Sequence, residues 1–287
     1  MKVLVTGAAG TLGSVAVAAL LRAGHEVRAT DRRFRADLGV PLVVADLRDE
    51  APLYDLLDGV DALVHLGNHP NRHAGPSPQG LIAENTQMNA NAFTAALERG
   101  VRRIVFSSSV QVVLRSDLVP LEPHVLPYLP LDGHAPADPG SNAYAVSKHV
   151  GEELLRFAAR DHADLAVTVL RYPMLVGEQF RRRFASLGNR IPSTWLHLGE
   201  ATAHLFVEDA ADIVARAVER QLPGYHQYFP AQTIAVKNLP VPRLIERFYP
   251  SVTLTRDLEQ IESLIDISEL ERDLGCMPRE RLEVEFA

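Results

Sequence analysis

The chain has 287 residues, 47% of them hydrophobic and 23% charged, an ordinary globular composition that excludes a disordered or fibrous polypeptide. A formal net charge of −7 argues against a broad nucleic-acid-binding surface, because phosphate contacts need clustered Lys and Arg, although a local basic pocket stays open. The only cysteine, Cys276, cannot close an intramolecular disulfide, no apolar run is long enough to cross a bilayer, and "MKVLVTGAAG" enters a strand with no room for a signal peptide. A cytoplasmic protein with no nucleic-acid or membrane partner is therefore expected.

In chain order, "KVLVTG" is a short apolar, β-branched run that reads as a strand. A glycine-spaced turn follows, then "TLGSVAVAALLRAG", which has helical periodicity and closes on glycine. Strand signals return in "HEVRATD", "PLVVADL", "DALVHLG", "VRRIVFSSS" and "LAVTVLRYP", with helical segments such as "ENTQMNANAFTAALERG" between several of them. Strands buried on both faces and alternating with helices imply an α/β fold with a doubly wound parallel sheet. The segment Val119 to Gly140 is rich in proline and lacks periodicity, and reads as an ordered surface loop. After about Tyr172 the rhythm loosens and prolines break it. Residues 1–172 are expected to form the main part of the sheet domain, and 173–287 mostly a small, partly helical cap with some segments returning to the core. One helix of that cap is clear from its apolar spacing, "VEDAADIVARAVERQ".

"TGAAGTLG" sets Gly7, Gly10 and Gly13 between a predicted strand and helix. Close approach of a pyrophosphate needs positions without Cβ, and a helix N-terminus supplies N–H donors and positive potential, so this turn reads as a dinucleotide cradle rather than mere tight packing. Asp31 ends the second strand at the distance where an acidic residue accepts from an adenosine ribose and repels a 2′-phosphate. That favours NAD over NADP, although Arg32 and Arg33 suit such a phosphate and Asp31 could be a simple turn cap.

Tyr144 and Lys148 are four residues apart, on one face of a helix. An ammonium beside a phenol lowers the phenol pKa and helps it act as a general base, but an exposed helix surface has the same spacing. Ser107, Ser108 and Ser109 end the strand "RIVFSSS", where such sheets place ligands, and any of them could meet a substrate oxygen or merely end the strand.

With these motifs in their order, the chain resembles the extended short-chain dehydrogenases/reductases, the NAD-dependent epimerase/dehydratase group. The resemblance rests on "TGAAGTLG", Asp31, "ADL" at Ala45 to Leu47, "VHLG" at Val64 to Gly67, Asn85, "VFSSS", "YAVSK" and "LRYP", with weaker echoes in "LFVEDAADIV" and "SLIDISELERDLG". It implies a Rossmann-type sheet that binds NAD and a C-terminal cap that binds substrate. Carried over by position, Thr11 and Leu12 lie at the pyrophosphate turn, Asp46 meets the adenine amino group and Leu47 packs on the adenine. Leu66 and Gly67 run beside the cofactor, Asn85 steadies the strand ends around it, Ser107 is a further cofactor-binding residue, and Tyr172 and Pro173 flank the nicotinamide. Ser109, the last serine of the run, is the catalytic one. Tyr144 is the acid/base, and Lys148 binds the ribose and depresses the tyrosine pKa. A homodimer, pairing through a helix that follows Tyr144, is the expected assembly.

Departures from the family pattern narrow the substrate. Met174 replaces an asparagine that nucleotide-sugar enzymes of the family often use, and the cap is short, which favours a small polyhydroxylated compound such as a sugar or sugar acid. Val110 and Gln111 stand where dehydratases carry an Asp–Glu pair, which argues against dehydration. Arg181, Arg182 and Arg183, with Arg190 nearby, suit carboxylate or phosphate recognition or else form a solvated basic face. His65, His69 and His73 recur every four residues, but Gly67, Pro70 and Gly75 interrupt any helix and no suitable carboxylate lies beside them in sequence, so a metal site is not expected. His69 or His73 could instead line the substrate cleft. The reading is an NAD-dependent epimerase or dehydrogenase acting at a hydroxyl or carbonyl carbon of a sugar, sugar acid or nucleotide sugar by Ser-Tyr-Lys chemistry. The alternative is a non-catalytic dinucleotide-binding sensor or assembly protein of the same fold.

Overall fold

The computed structural model describes residues 1–113, 126–186, 188, 190–191, 196, 198–220 and 222–286. Its first part alternates strand and helix: β1 (Lys2–Thr6), α1 (Thr11–Arg22), β2 (Glu26–Asp31), β3 (Leu42–Val44), α2 (Ala51–Leu56), β4 (Ala62–His65), α3 (Pro78–Glu98), β5 (Arg103–Ser109), α4 (Ala143–Asp161) and β6 (Ala166–Tyr172). The remainder comprises β7 (Met174–Val176), α5 (Glu178–Ser186), β8 (Arg190–Ile191), β9 (Ala203–Phe206), α6 (Val207–Glu219), β10 (Gly224–Tyr228), β11 (Gln232–Thr233), β12 (Ala235–Val236), α7 (Val241–Phe248), α8 (Ser268–Leu274) and β13 (Glu283–Phe286).

Seven strands form one parallel sheet in the order β10-β6-β5-β4-β1-β2-β3. The central strands are buried on both faces, because α1 and α6 cover one side and α2, α3 and α4 the other, whereas the edge strand β3 leaves Val43 and Val44 exposed. The strand order reverses between β1 and β4, and in such sheets the crevice outside the carboxyl ends at that reversal holds the ligand. Register delivers the functional residues there. Thr6 pairs with Thr30 and His65, and Ser109 pairs with Tyr172, so the ends of the central strands lie along one edge.

Two helix starts matter for the site. Ser77 accepts from the Gly80 amide ahead of Pro78 and fixes the entry of α3. Asn142 accepts from the Tyr144 and Ala145 amides, which fixes Tyr144 in the first turn of α4.

A second core, beyond the sheet, is built from Leu129, Leu131, Val176, Phe229, Tyr249 and Leu264 among others. Two expectations change here. The helix "VEDAADIVARAVERQ" is α6, and its apolar face packs on α1 in the sheet domain instead of in the cap. The proline-rich segment is not a surface loop over its described part. Leu129 and Leu131 are fully buried and bridge to Leu254 and Ile265, so proline content there marks irregular backbone inside a core. Residues 119–125 of that segment lie outside the described residues. Among the described residues no helix is long and apolar enough to cross a membrane.

Candidate active site

The crevice at the strand reversal is a cavity of about 600 Å³. At one end lies the glycine turn. Gly7 has φ +68°, and a Cβ there would stand 2.7 Å from the Leu66 carbonyl, while one on Gly13 would stand 2.1 Å from the Gly7 oxygen. Only hydrogen fits at either position, so the turn lies flat on the strand ends. Gly10 enters α1 in extended backbone without a side-chain cap, which leaves the first amides of the helix facing the cavity that Thr11 and Leu12 also line.

Asp31 braces the turns on either side of it and also lines the cavity. One carboxylate oxygen accepts from the Ala9 amide at 3.1 Å and the other from the Arg33 amide at 2.9 Å, and the side chain lines the cavity together with Arg32 and Arg33. Asp46 is gripped by the Arg48 guanidinium at 2.6 Å, whose hydrogen bonds hold its carboxyl down at about 2. Leu47, Leu66 and Gly67 continue the wall. An uncapped helix start, backbone laid bare of Cβ atoms and an acidic residue at the end of β2 together fit a nicotinamide adenine dinucleotide.

The far end gathers Ser109, Tyr144 and Lys148, with Ser107, Tyr172 and Pro173 on the same wall. The three serines differ in what they touch. The Ser107 carbonyl accepts from Lys148 Nζ at 2.7 Å, and the Ser108 hydroxyl is committed to buried Glu152, to which it donates at 2.6 Å. Ser109 alone has its hydroxyl beside the Tyr144 phenol. Tyr172 presents a buried hydroxyl with no hydrogen-bond partner among the described residues.

The electrostatics depart from the sequence expectation. Burial pushes the Tyr144 phenol up to about 12; hydrogen bonding with Ser109 opposes this rise and the Glu200 carboxylate adds to it. Burial lowers Lys148 to about 7. Its Nζ sits 5.8 Å from the tyrosine ring centroid and donates to Ser107 and Asn68, so the expected depression of the phenol by an adjacent ammonium is absent in this arrangement.

Several residues of this site carried no local signal. Asn68 accepts from Lys148 Nζ at 2.9 Å and donates to Asn89 Oδ1, which also bonds His65 Nε2; His65 Nδ1 in turn meets the Thr6 hydroxyl. Because Asn89 Oδ1 can only accept, His65 carries its proton on Nε2 and accepts at Nδ1. Thr6 Oγ1 also accepts the Leu66 and Gly67 amides. Glu152 and Arg171 form a buried bidentate pair at 2.8 and 2.7 Å behind Ser108. Gln111 joins the Glu200 carboxylate at 2.8 Å to Asn142 at 2.9 Å. Glu200 is followed by Ala201 and Thr202 at φ 52° and 51°. Left-handed backbone at a β-branched residue is rare, and such strain collects at functional sites.

Other expectations move. Asn85 does not line the cavity; it accepts from the His69 amide and donates to Ser147, tying the loop after β4 to α4 from behind. The three histidines do not converge: His65 is in the core, His69 lines the cavity and His73 is exposed. A carboxylate does stand beside one of them, however, since Glu84 meets His69 Nε2 at 2.6 Å, an approach made by α3 and invisible in the local sequence. Arg181 pairs with Glu208 and Glu280 and Arg182 with Glu178, and none of Arg181, Arg182, Arg183 or Arg190 lines the cavity. No described residue of 126–140 lines the cavity either. Cys276 follows the αL glycine that ends α8, with its thiol pushed up to about 11 by burial, which makes it a weak nucleophile.

Comparison with known proteins agrees with this geometry. The chain is 32% identical over 166 residues to a uronate dehydrogenase of Pseudomonas putida, covering 54% of each chain, so it spans about half the length of that enzyme. It is 30% identical over 228 residues to an L-arabinose 1-dehydrogenase (NAD(P)(+)) of Haloferax volcanii, covering 77% of this chain and 84% of the other. Its fold matches a UDP-glucose 4-epimerase from Bifidobacterium longum, solved with NAD+ and UDP, at TM-score 0.68 and 18% identity over 98% of this chain and 94% of the other. The family profile for NAD dependent epimerases and dehydratases matches residues 3–228. A glycine turn at the strand reversal, an acidic residue closing β2, and a Ser-Tyr-Lys set across the same cavity belong with that match: the chain is a member of the NAD dependent epimerase/dehydratase family.

Proposed function

We propose that the protein is an NAD-dependent oxidoreductase or epimerase acting at a hydroxyl or carbonyl carbon of a sugar-like, polyhydroxylated substrate. The observation that carries this reading is the meeting of Ser109, Tyr144 and Lys148 at one end of the cavity whose other end is the glycine turn and Asp31. A bound NAD would supply the hydride acceptor, with Tyr172 and Pro173 among the residues that would hold its nicotinamide end. Ser109 holds the substrate oxygen, and Tyr144, acting in its ionised form and therefore favoured by alkaline pH, takes the hydroxyl proton as the carbon gives up its hydride and the carbonyl forms. Running the transfer backwards, Tyr144 returns that proton. Lys148 anchors the ribose hydroxyls beneath Tyr144, and Asn85 and Asn68 position the walls on either side of it. Asp31 favours NAD over NADP. The second core, formed largely after residue 173, serves as the substrate-binding cap. A sugar substrate is supported by the uronate and L-arabinose dehydrogenases that the chain resembles.

The protein works as a homodimer in the cytoplasm on this reading. Phe157, 64% exposed on α4, and a lone cysteine are consistent with both. Sedimentation tests the first, and fractionation of the producing cells the second. The central test is Tyr144→Phe. Turnover, followed as NADH formation or isomer exchange, should fall by about 10²-fold or more, while NAD affinity from isothermal titration stays within about twofold. NADH that accumulates with substrate identifies a dehydrogenase, and isomer exchange without it an epimerase. Full activity in Tyr144→Phe would sink the mechanism.

A further inference from the structure

The substrate end of the cavity is not electrically neutral. The described cations lining the cavity are Arg32, Arg33 and Arg48, grouped with Asp31 and Asp46 at the adenosine end, and Lys148, turned beneath Tyr144 onto Ser107 and Asn68. The charged group that faces the reacting end from the cap is Glu200. Its Oε1 accepts from Gln111 Nε2 at 2.8 Å, and Gln111 is itself held by Asn142, the cap of the helix that carries Tyr144. The carboxylate is near enough to raise the Tyr144 phenol. Two successive left-handed residues, Ala201 and Thr202, keep the chain turned at this point, and Thr202 is fully buried with its hydroxyl unpartnered among the described residues. Backbone strain at a β-branched residue persists only where the surroundings enforce it.

We propose that Glu200, presented by Gln111, is a specificity-determining residue that accepts hydrogen bonds from substrate hydroxyls beside the reacting carbon, and so selects neutral sugars over uronates and sugar phosphates. This rests on the sugar oxidoreductase reading above and narrows it. A carboxylate only accepts, so it pairs with hydroxyl donors, and its charge strengthens those bonds. An anionic substrate would set like charges close together there, and the one described cation at that end, Lys148, is already engaged by Ser107 and Asn68. Of the four arginines suited to an anion, Arg181 and Arg182 are paired with surface carboxylates, and none of the four lines the cavity.

The experiment compares sugars of the same configuration that differ only in charge: galactose with galacturonate, glucose with glucuronate, and glucose with glucose 6-phosphate, plus L-arabinose. NADH formation is measured with NAD, and binding to the NADH-loaded enzyme by calorimetry. For at least one pair the neutral member should bind and react at least about tenfold better. Glu200→Gln keeps an acceptor for Gln111 while removing the charge, and should shrink that ratio by about tenfold. Glu200→Asp keeps the charge and should preserve the discrimination at lower affinity, which separates a charge effect from a fault in folding. Preference for the anion, or a ratio unchanged in Glu200→Gln, overturns the proposal while leaving the oxidoreductase reading intact. Charge discrimination in binding without turnover of any member supports the role of Glu200 and removes the oxidoreductase reading. Failure to bind or turn over any member of these pairs, neutral or anionic, overturns both.

Discussion

Replacing Lys148 with methionine keeps the stem of the side chain and removes its ammonium. Burial lowers this group from 10.5 to about 7 in the folded chain, and the unfolded chain restores the ordinary value. Between those limits the unfolded state holds one more proton, so wild-type stability rises with pH by about 1.4 kcal/mol per unit. That contribution is complete above the unfolded pKa and is lost as pH falls through the folded one. Methionine has no such dependence. From about pH 7.5 to about pH 9.5 the stability difference should therefore widen by about 2.7 kcal/mol in favour of the wild type. With an unfolding entropy of about 0.6 kcal/mol per kelvin for a chain of this size, the wild-type Tm should gain about 4 to 5 °C on the variant. Melts followed by circular dichroism at fixed ionic strength read this directly. The offset at neutral pH is less informative, since methionine relieves a buried charge but leaves the Ser107 carbonyl and Asn68 Oδ1 without their donor, at about 1 to 3 kcal/mol each. Parallel Tm curves across the interval would show that Lys148 is not depressed and that the account of the site electrostatics is wrong.

Glu152→Gln should lower stability by about 3 to 5 kcal/mol, because it leaves the Arg171 guanidinium buried without its counter-charge. The Tm should fall by about 5 to 8 °C, and the double variant with Arg171→Met should recover most of it; an unchanged Glu152→Gln melt would mean the pair is not holding the strand ends behind Ser108. Asp31→Ala should relax the cofactor preference by about tenfold, measured as the ratio of kcat/KM with NAD to that with NADP. An unchanged ratio would leave Asp31 as a turn brace for Ala9 and nothing more.

The sheet was legible because its signals are local. A β-branched run, a glycine turn and an apolar helix stripe lie within consecutive residues, and the parallel register then carries Ser109 and Tyr172 to one edge without further information. The glycine spacing and Tyr144 with Lys148 were legible for the same reason, each being contained in one turn or one helix. What could not be read depends on approaches between distant segments. Glu200 reaches Gln111 across 89 residues, Asn68 reaches Lys148 across 80, and Glu84 reaches His69 only because α3 folds back over the loop. Composition misled at the prolines before Gly140, where Leu129 and Leu131 turn an irregular backbone into part of a core. Charge misled at Arg181 to Arg183, because the carboxylates that absorb Arg181 come from α6 and from beyond α8.

The row of side chains from Thr6 through His65, Asn89 and Asn68 to Lys148 makes the two ends of the cavity one mechanical piece. Burial pushes His65 down to about 3, so its ring stays neutral and the row acts as a strut, not as a sensor. Each bond in it has a direction, and reversing one member would leave two donors or two acceptors face to face. Transplanting a foreign glycine turn onto this scaffold would therefore disturb a lysine on the other side of the sheet unless Thr6, His65 and Asn89 travelled with it.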